Sequence, residues 1–525
     1  MSSGTVDTVV IGAGANGLVA AARLGKRALV LEAEDTAGGQ ARAVEFAPGF
    51  NAMPLSVDPG WLPPAIARGL GLRLAPVEVE TPLSVSTGSK KFLTLSRDPL
   101  KAAEAIGPHS RKDASKWGAF VTRMHRLSRF LGELYQTPAP DVDMRTFGDA
   151  LGALSLARKF RALGRTDMVE FLRTLPLSAW ELCDDWFEYA PLKAGIAAGG
   201  VQDLRQGPRS GGTGFVLLHH LIGAPEGSMR GRVPWKDGPD AFTRAAEAVA
   251  RRRGATIRTG ARVVRILVKD DAVAGVVLEN GEEIPAKRVL STADPKRTLL
   301  AWVDPVWLDP EFVRAVGNIR HRGCTAYVLY GLEKLPELSG LGSIHALAGV
   351  VSLTANLVAL ERAADAAKYG AVSEQPHVEL HAPTILWPSL APMGRHVLIA
   401  RVQYAPFQLR DGVWDTTRTQ ALAANVTEAI EAASPGFSTR ILHREALSPA
   451  DLAKRFGLVE GAATQGELAL DQILFMRPVP GWGRHATPIS GLFLGGVGTH
   501  PGPGILGGAG SLAADRMLRA SKVRS

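Results

Sequence analysis

The chain has 525 residues, 46% of them hydrophobic and 21% charged, which excludes a low-complexity chain and suffices for two or more packed units. Its two cysteines, Cys183 and Cys324, lie far apart without a CxxC motif, which excludes a disulfide scaffold and disfavours a dithiol reductase. The formal net charge is +9, but no nucleic-acid-binding motif accompanies it, so we expect no nucleic-acid partner. Two explanations of the positive charge stay open, which are solubility and binding to an anionic membrane surface.

A dinucleotide-binding pattern occupies the start of the chain. Residues 8–18 read TVVIGAGANGL, which predicts a buried strand, a glycine turn and the start of a helix. Gly12 permits the tight turn, Gly14 lets the backbone approach a pyrophosphate, and Gly17 lets helix and strand pack closely. The following strand ends at Glu32, which is 20 residues after Gly12, the offset at which a carboxylate accepts a ribose hydroxyl. The alternative is a βαβ unit that binds no nucleotide, but every part that the motif requires is present.

The residues after Glu32 indicate FAD rather than NAD. A short spacer leads from the acid to the pair Gly38–Gly39. FAD carries a ribityl chain and an isoalloxazine ring beyond the pyrophosphate, so more backbone must approach it, and glycines permit that approach. Arg42 has two open interpretations, a phosphate contact or a solvated surface charge.

Further along, the sequence leaves the nucleotide-binding pattern and returns to it. Helical patterns from about residue 98 to 187 predict an inserted helical region. From about residue 240, a helix, a strand and a hairpin pair at 263–268 and 272–278 indicate that the nucleotide domain resumes. A second excursion, from about 304 to 480, mixes strands and helices.

Two long stretches lack Asp, Glu, Lys and Arg, but neither predicts a membrane-spanning helix. Prolines and glycines break residues 485–514. Residues 338–360 are too polar for a membrane-spanning helix, so we expect a buried helix there, with a dip into one leaflet as the alternative.

No basic region or cleavage site precedes the first strand, so we expect no signal peptide and a cytoplasmic location, with peripheral attachment to the inner membrane face as a variant.

The last segment contains a second match to GxGxxG at residues 502–507. A proline in the turn, and too few residues after it for another βαβ unit, argue against a second dinucleotide site. We therefore predict a strand, a glycine-rich loop and a helix N-terminus that close over the same cofactor.

Several stretches along the chain carry a family resemblance: VIGAGANGLVAAA (10–22), DDWFE (184–188), PLKA (191–194), STADP (291–295), QYAP (403–406), LDQILFMRPVPGW (470–482) and GTHPG (498–502). In this order they resemble the phytoene desaturase and carotenoid isomerase group of flavoproteins, and within it the branch of pyridine nucleotide-disulfide oxidoreductase domain-containing protein 2. Two features depart from that group. About three residues are missing between the first glycine and the acid, nearly one helical turn, so we expect the motif to survive with a shorter helix. The turn at 234–239 also differs from the family's, which leaves the substrate open.

The resemblance implies an α/β fold: a Rossmann-like FAD-binding domain assembled from discontinuous segments, with an inserted α+β substrate domain and a helical region. The FAD-binding domain would comprise residues 1–85, 240–303 and 481–525, and the substrate-binding and helical domain 86–239 and 304–480. The implied cofactor contacts are Gly12, Gly14, Gly17, Glu32, Gly38 and Gly39, with a backbone contact to adenine near Val263 and flavin or ribityl contacts near Gly496, Gly504 and Ile505.

The expected activity is FAD-dependent removal of a hydride from a hydrophobic small-molecule substrate, such as an isoprenoid or polyene. A redox-neutral cis–trans isomerase and a flavin-bound interaction protein without turnover are the alternatives, and the resemblance disfavours an amine oxidase. The sequence fixes neither the substrate nor an oligomeric state. The apolar stretches 338–360 and 378–387 are candidate linings of a long tunnel, with ordinary core as the alternative.

Few side chains suggest catalysis. His500, in the loop expected near the flavin, is the candidate acid–base group, and a loop-structuring hydrogen bond is its alternative. Arg477 is a candidate either to stabilise reduced flavin or to pair with an acid. The histidines and cysteines show no metal-ligand spacing, so we expect no metal site.

Overall fold

The computed structural model describes residues 6–88, 90–140, 147–231 and 233–523. The outermost residues of the predicted FAD-binding segments, 1–5 and 524–525, therefore lie outside the described residues. The strands are β1 (Thr8–Ile11), β2 (Ala28–Leu31), β3 (Val44–Ala47), β4 (Phe50–Ala52), β5 (Leu83–Ser86), β6 (Phe92–Leu95), β7 (Thr256–Arg258), β8 (Val263–Lys269), β9 (Ala272–Leu278), β10 (Glu283–Pro285), β11 (Val289–Ser291), β12 (Thr325–Leu332), β13 (Val350–Ser352), β14 (His377–His381), β15 (His396–Gln403), β16 (Ile441–Leu447) and β17 (Leu492–Leu494). The α-helices are α1 (Ala15–Leu24), α2 (Pro64–Leu70), α3 (Pro99–Ile106), α4 (Arg111–Tyr135), α5 (Phe147–Ala162), α6 (Gly164–Thr174), α7 (Ala179–Trp186), α8 (Ala190–Ala198), α9 (Thr213–Leu221), α10 (Ala241–Arg252), α11 (Pro310–Gly317), α12 (Leu357–Lys368), α13 (Thr416–Ala433), α14 (Pro449–Phe456) and α15 (Gly508–Val523).

A parallel five-stranded sheet in the order β17-β11-β1-β2-β7 forms the centre of one half of the molecule. Helices α1, α10 and α15 cover one face of this sheet, and the antiparallel sheet β10-β9-β8 covers the other. Because both faces are covered, β1 and β2 are runs of apolar residues rather than alternating ones. The strands come from three separate parts of the chain, and the predicted fold class is confirmed.

The first helix is short, as expected from the missing residues. Helix α1 has 10 residues and continues into a 3-10 turn, Gly25–Arg27, which leads directly into β2. The parallel register of β1 and β2 is nevertheless regular, from Thr8 opposite Ala28 to Ile11 opposite Leu31. The shorter connection therefore leaves the ends of β1 and β2 aligned. As a result, the glycine turn after β1 and Glu32 after β2 lie at the same edge of the sheet.

A mixed seven-stranded sheet, β16-β12-β15-β14-β13-β5-β6, forms the centre of the other half. Among the described residues, every pair of neighbouring strands in this sheet is antiparallel, except that β13 and β5 are parallel. Helix α13 packs its Leu422, Val426 and Ile430 against one face of this sheet. Strand β5 belongs to this sheet, so the predicted domain boundary after residue 85 falls inside a strand, and the boundaries stay a prediction.

The predicted helical insertion corresponds to α3–α7, and with α8, α9 and α12 it forms a separate core. The buried aromatic rings of Trp117, Phe120 and Phe215 lie in this core. It packs against the opposite side of the mixed sheet through contacts of α8 with β5.

The expectation of one buried helix over residues 338–360 is wrong. Gly340 and Gly342 have φ values of +80° and +76°, which a helix does not allow, and a 3-10 turn and strand β13 follow. Only at Asn356, whose side chain caps the backbone N–H of Ala359 at 2.9 Å, does helix α12 begin. Among the described residues, no helix is both long and apolar enough to cross a membrane.

Arg477 organises the segment that leads from the mixed sheet back to the parallel one. Its buried guanidinium donates to backbone carbonyls of Thr464, Gly466, Glu467 and Gln472, and, across to the last segment, of Val497 at 3.0 Å. Burial lowers the pKa of Arg477 to about 10, so the side chain stays charged at neutral pH. These contacts give it a structural role, since it donates to backbone carbonyls rather than to a carboxylate.

We expect Arg477→Met to lower the free energy of unfolding by about 3 kcal/mol or more, because several buried carbonyls lose a charged donor. Urea unfolding of the purified protein measures this change. The matched control is Arg410→Met, since Arg410 is exposed and pairs with Asp411 at 3.0 Å. If both variants unfolded at the same urea concentration, the structural role of Arg477 would be contradicted.

Candidate active site

A cleft of about 550 Å³ lies at the carboxyl ends of the parallel strands. Gly12 follows β1, Glu32 follows β2 and Thr292 follows β11, and all three line its wall. Such an edge, where neighbouring parallel strands diverge in chain order, is where open α/β sheets bind ligands. Of the predicted cofactor residues, those on the cleft wall are Gly12, Gly14, Glu32, Gly38, Gly39, Arg42, Val263, Gly504 and Ile505.

The glycines of the cleft form a backbone cradle, and at Gly12 and Gly39 this cradle has no room for a side chain. Gly12 has a φ of +95°, which favours glycine. A Cβ on Gly39 would lie 2.9 Å from the Cα of Gly14, so the two glycine segments meet backbone to backbone. The N-terminus of α1 begins at this contact, and its first N–H groups have no partner within the helix. This is an arrangement that fits a pyrophosphate.

Glu32 is held rigidly at the end of β2. Its carboxylate accepts hydrogen bonds from the backbone N–H of Ala13 at 2.6 Å and of Glu34 at 3.1 Å, and the residue is only 8% exposed. The acid is thereby fixed beside the glycine turn, on the cleft wall, where the sequence predicts a ribose contact.

Arg42 lies on the cleft wall but is not simply solvated. It forms an ion pair with Glu34 at 2.7 Å, and its guanidinium lies 5.8 Å from the ring centre of Phe456. Sequence reasoning missed three further cations on the same wall, Arg262, Arg297 and Lys454. All three belong to segments far from the glycine motif in sequence, and no local pattern marks them.

Gly17 and Gly496 do not line the cleft, and their surroundings give each a packing role. A Cβ on Gly17 would lie 1.9 Å from the carbonyl oxygen of Gly12, and one on Gly496 would lie 2.3 Å from that of Thr292. Each glycine therefore lets two backbone segments touch behind the cleft wall.

His500 does not line the cleft. Its Nε2 donates to the carbonyl oxygen of Thr137 at 2.9 Å, and its ring packs against Tyr135 with the centres 5.8 Å apart. Burial lowers the pKa of His500 to about 3, so the ring is neutral. The geometry favours the loop-structuring alternative over the acid–base role.

A second cavity, which we call the inner cavity, has a volume of about 340 Å³ and adjoins the cleft. The junction between the two spaces consists of the residues that line both, which are Gln40, Leu55, Asp58, Pro59 and Gly504. The apolar part of its wall consists of Leu55, Val57, Val77, Val79, Val350, Leu386 and Trp387, among others. Parts of residues 338–360 and 378–387, the two stretches suggested from the sequence as a tunnel lining, therefore line the inner cavity.

One wall of the inner cavity is polar and is built by the mixed sheet. The register of the neighbouring strands β12, β15 and β14 places Tyr327, Arg401 and Glu379 side by side. Glu379 binds the guanidinium of Arg230 through two hydrogen bonds of 2.8 and 2.9 Å. Arg401 pairs with Asp203 at 2.9 Å. Burial alone would raise the pKa of Glu379, but Arg230 and the neighbouring His377 hold it well below its ordinary value.

The sequence carried a signal for this wall that we did not use. Strand β14 alternates polar and apolar residues, with His377, Glu379 and His381 on one face and Val378 and Leu380 on the other. The apolar pair belongs to the core under α13, so the polar face points away from that core. An alternating strand with charged residues predicts a polar surface, not an apolar tunnel.

Comparison with known proteins identifies the family. A model of the family described as flavin containing amine oxidoreductase matches residues 16–402. The chain belongs to this family. It is 34% identical to the pyridine nucleotide-disulfide oxidoreductase domain-containing protein 2 of Rattus norvegicus over 98% of this chain and 93% of that protein. It is 29% identical to the zeta-carotene-forming phytoene desaturase of Myxococcus xanthus over 51% of this chain and 49% of that one.

The fold is similar to that of a solved oxidoreductase from Methanosarcina mazei, with a TM-score of 0.57 at 18% identity, over 98% of this chain and 100% of that structure. Family membership confirms the resemblance seen in the sequence, FAD as the cofactor and FAD-dependent oxidoreductase chemistry. The backbone cradle and the fixed Glu32 carboxylate fit that cofactor. The individual cofactor contacts stay predictions.

We expect Gly17→Ala to reduce the FAD bound per chain and to lower the free energy of unfolding by about 1–3 kcal/mol, because α1 must move away from β1. FAD released on denaturation and urea unfolding measure the two effects. The control is Gly118→Ala in α4, where a Cβ meets nothing within 4 Å. Full FAD content in Gly17→Ala would show that the contact does not shape the cleft.

The depressed pKa of His500 predicts a pH dependence of stability. Between about pH 6.5 and pH 3 the unfolded chain binds a proton that the folded chain does not, so the folded state loses stability as the pH falls. Between pH 7 and pH 5, this one group lowers the free energy of unfolding by about 2 kcal/mol. Urea unfolding at both pH values should therefore show a smaller acid loss in His500→Gln than in the wild type. The exposed His345 gives the control, since His345→Gln should keep the wild-type dependence.

Proposed function

We propose that this FAD-dependent oxidoreductase removes a hydride from a C–H bond of a substrate held in the inner cavity. The observation that carries the proposal is the junction where the inner cavity meets the cleft, at Gln40, Leu55, Asp58, Pro59 and Gly504. The family resemblance expects the flavin near Gly504, so a molecule in the inner cavity would border the reacting end of the cofactor. Bound FAD would take up the hydride, and a proton would leave to a base or to solvent.

The protein's own part in this reaction is to hold the substrate and to keep water away from it. The apolar wall, with Val77, Val350 and Trp387, would bind the body of the substrate. On the polar wall the paired charges of Arg230 and Glu379 are fixed by two hydrogen bonds, so they present a rigid surface.

We propose a hydrophobic small molecule as the substrate, with an isoprenoid as the finer proposal. Support for the isoprenoid comes from the Myxococcus relative, whose name states that it acts on phytoene. The volume of about 340 Å³ is near the lower end of small-molecule pockets, so a small isoprenoid or one end of a long one suits it. The net charge of +9 supports an anionic membrane surface as the place where such a substrate is met.

The test begins with the protein carrying stoichiometric FAD, mixed without oxygen with a panel of isoprenoid hydrocarbons and alcohols. We expect one of them to bleach the visible flavin absorbance, and added electron acceptor to be consumed in proportion to product. Product without net consumption of acceptor would instead identify the redox-neutral isomerase. No bleaching by any member of the panel would overturn the proposed substrate class.

A variant localises the reaction to the inner cavity. Val79, half-buried in a loop on its wall, can be replaced by Trp to fill the space. Val79→Trp should keep its FAD but slow bleaching at least tenfold, because the substrate is displaced. The control Val413→Trp, at a residue that is 72% exposed, should behave like the wild type. Unchanged bleaching in Val79→Trp would place the substrate elsewhere.

A further inference from the structure

We infer that helices α5 and α6 form a docking face for an anionic membrane surface. This surface, which we call the α5–α6 face, consists of exposed apolar side chains and exposed arginines. Its apolar residues are Leu151, Leu154, Val169 and Leu172, and its arginines are Arg158, Arg161 and Arg165. They line neither the cleft nor the inner cavity, so the inference goes beyond the proposed hydride transfer and does not depend on it.

The inner sides of both helices are fixed by aromatic packing against α4. The ring centre of Phe130 in α4 lies 5.5 Å from that of Phe160 in α5 and 5.0 Å from that of Phe171 in α6. Only Leu163 separates the two helices in the chain, and it packs against the same core. Because these side chains point inward, the residues on the other sides of α5 and α6 face solvent.

The apolar side chains of the α5–α6 face are exposed to water. In α5, Leu151 and Leu154 are 51% and 49% exposed, and in α6 both Val169 and Leu172 are 57% exposed. A single exposed apolar side chain is ordinary on a folded protein. Here four such side chains lie on two helices that are consecutive in the chain, and a cluster of this kind indicates a surface that contacts another molecule or a membrane.

The arginines of the face lie among these apolar side chains. Arg158 follows Leu154 by four residues, and Arg165 precedes Val169 by four residues, so each arginine lies one helical turn from an apolar neighbour. Arg158, Arg161 and Arg165 are all exposed, and none of them forms an ion pair with a described residue. Their charges are therefore available to an anionic partner.

The acids of α6 do not neutralise these arginines. Asp167 is buried and forms an ion pair of 2.6 Å with Arg126 of α4. Glu170 is half-buried and lies 3.8 Å from Arg173. Among the described side chains of α5 and α6, the exposed charges are therefore all positive.

This combination fits an anionic membrane surface better than other partners. Leucine and valine side chains can enter the boundary between headgroups and acyl chains, while the long arginine side chains extend to the lipid phosphates. A nucleic acid would contact the arginines but leave the apolar side chains in water. A second copy of the chain, related by a twofold axis, would bring the arginines of the two copies together, and their charges would repel.

The experiment is flotation of the FAD-loaded protein with vesicles of phosphatidylcholine alone, or of phosphatidylcholine and phosphatidylglycerol in equal parts. We expect the mixed vesicles to bind the protein at least about tenfold more tightly, because each arginine near an anionic surface strengthens binding about fivefold. Adding about 0.5 M sodium chloride should reduce this difference, since salt shortens the range over which the charges attract.

Two double variants separate the apolar part of the face from its charges. Leu154→Ser with Val169→Ser should weaken binding to both kinds of vesicle about tenfold, because apolar surface no longer enters the membrane. Arg158→Gln with Arg161→Gln should weaken binding to the mixed vesicles about tenfold and leave binding to phosphatidylcholine within about twofold.

Each double variant has a matched control outside the α5–α6 face. Val306→Ser with Val413→Ser changes two apolar residues that are 76% and 72% exposed. Arg73→Gln with Arg252→Gln removes two exposed arginines that form no ion pair with a described residue, so the net charge falls by the same amount. Both controls should bind the vesicles like the wild type.

A fluorescent dye tests insertion directly. Both native cysteines, Cys183 and Cys324, are buried, so a cysteine introduced by Leu154→Cys can be labelled selectively with an environment-sensitive dye. The dye at this position should brighten when mixed vesicles are added, because it enters the membrane. The same dye on Val413→Cys should not change.

Several outcomes would overturn the inference: equal binding to both kinds of vesicle, wild-type binding of the serine variant, or no brightening of the dye at position 154. A dimer that forms without lipid and is lost in the serine variant would identify a second copy as the occupant, and would also overturn it. The hydride transfer is judged separately, by bleaching of the flavin. Vesicle binding without bleaching would overturn the hydride transfer alone, and bleaching without vesicle binding would overturn the docking face alone.

Discussion

The contact on which the cofactor half depends is the backbone approach of Gly17 to Gly12. A single Cβ there would meet a carbonyl oxygen at 1.9 Å, so nothing but glycine allows helix α1 to lie this close to β1. Helix α15 makes the same kind of close backbone contact with α1, because a Cβ on Gly510 would lie 1.9 Å from the carbonyl oxygen of Asn16. Two glycine contacts thus set the spacing of sheet, first helix and last helix, and the cleft is the gap that remains at their edge.

The inner cavity depends on a different kind of constraint. Its polar wall carries four charges that compensate one another. Arg230 and Glu379 are buried, and a buried pair contributes little net stability because desolvation offsets the attraction. What the pairs do provide is a fixed pattern of donors and acceptors. Nε2 of His381 and Oγ1 of Thr464 are buried atoms of residues on this wall, and neither makes a hydrogen bond among the described residues.

The sequence predicted the parts of the molecule that are encoded locally. The glycine turn, the acid at Glu32 and the pair Gly38–Gly39 lie within one short stretch, and their spacing carries the physical requirement of a dinucleotide. The polar wall was not predicted, since Arg230, Glu379 and Arg401 come from separate segments that only the sheet register brings together. Composition also misled us at residues 338–360, where an uncharged stretch is divided by glycines into a turn, a strand and the start of a helix.

The cleft is assembled from segments far apart in the sequence, and this has a consequence for biosynthesis. Gly12 and Glu32 are translated long before Gly504 and Ile505, which lie on the same wall. Strand β17 and helix α15, which join the sheet and cover α1, belong to the same late portion. A nascent chain therefore lacks one side of its cofactor site until these residues have been translated, so tight capture of FAD would report that synthesis has passed them.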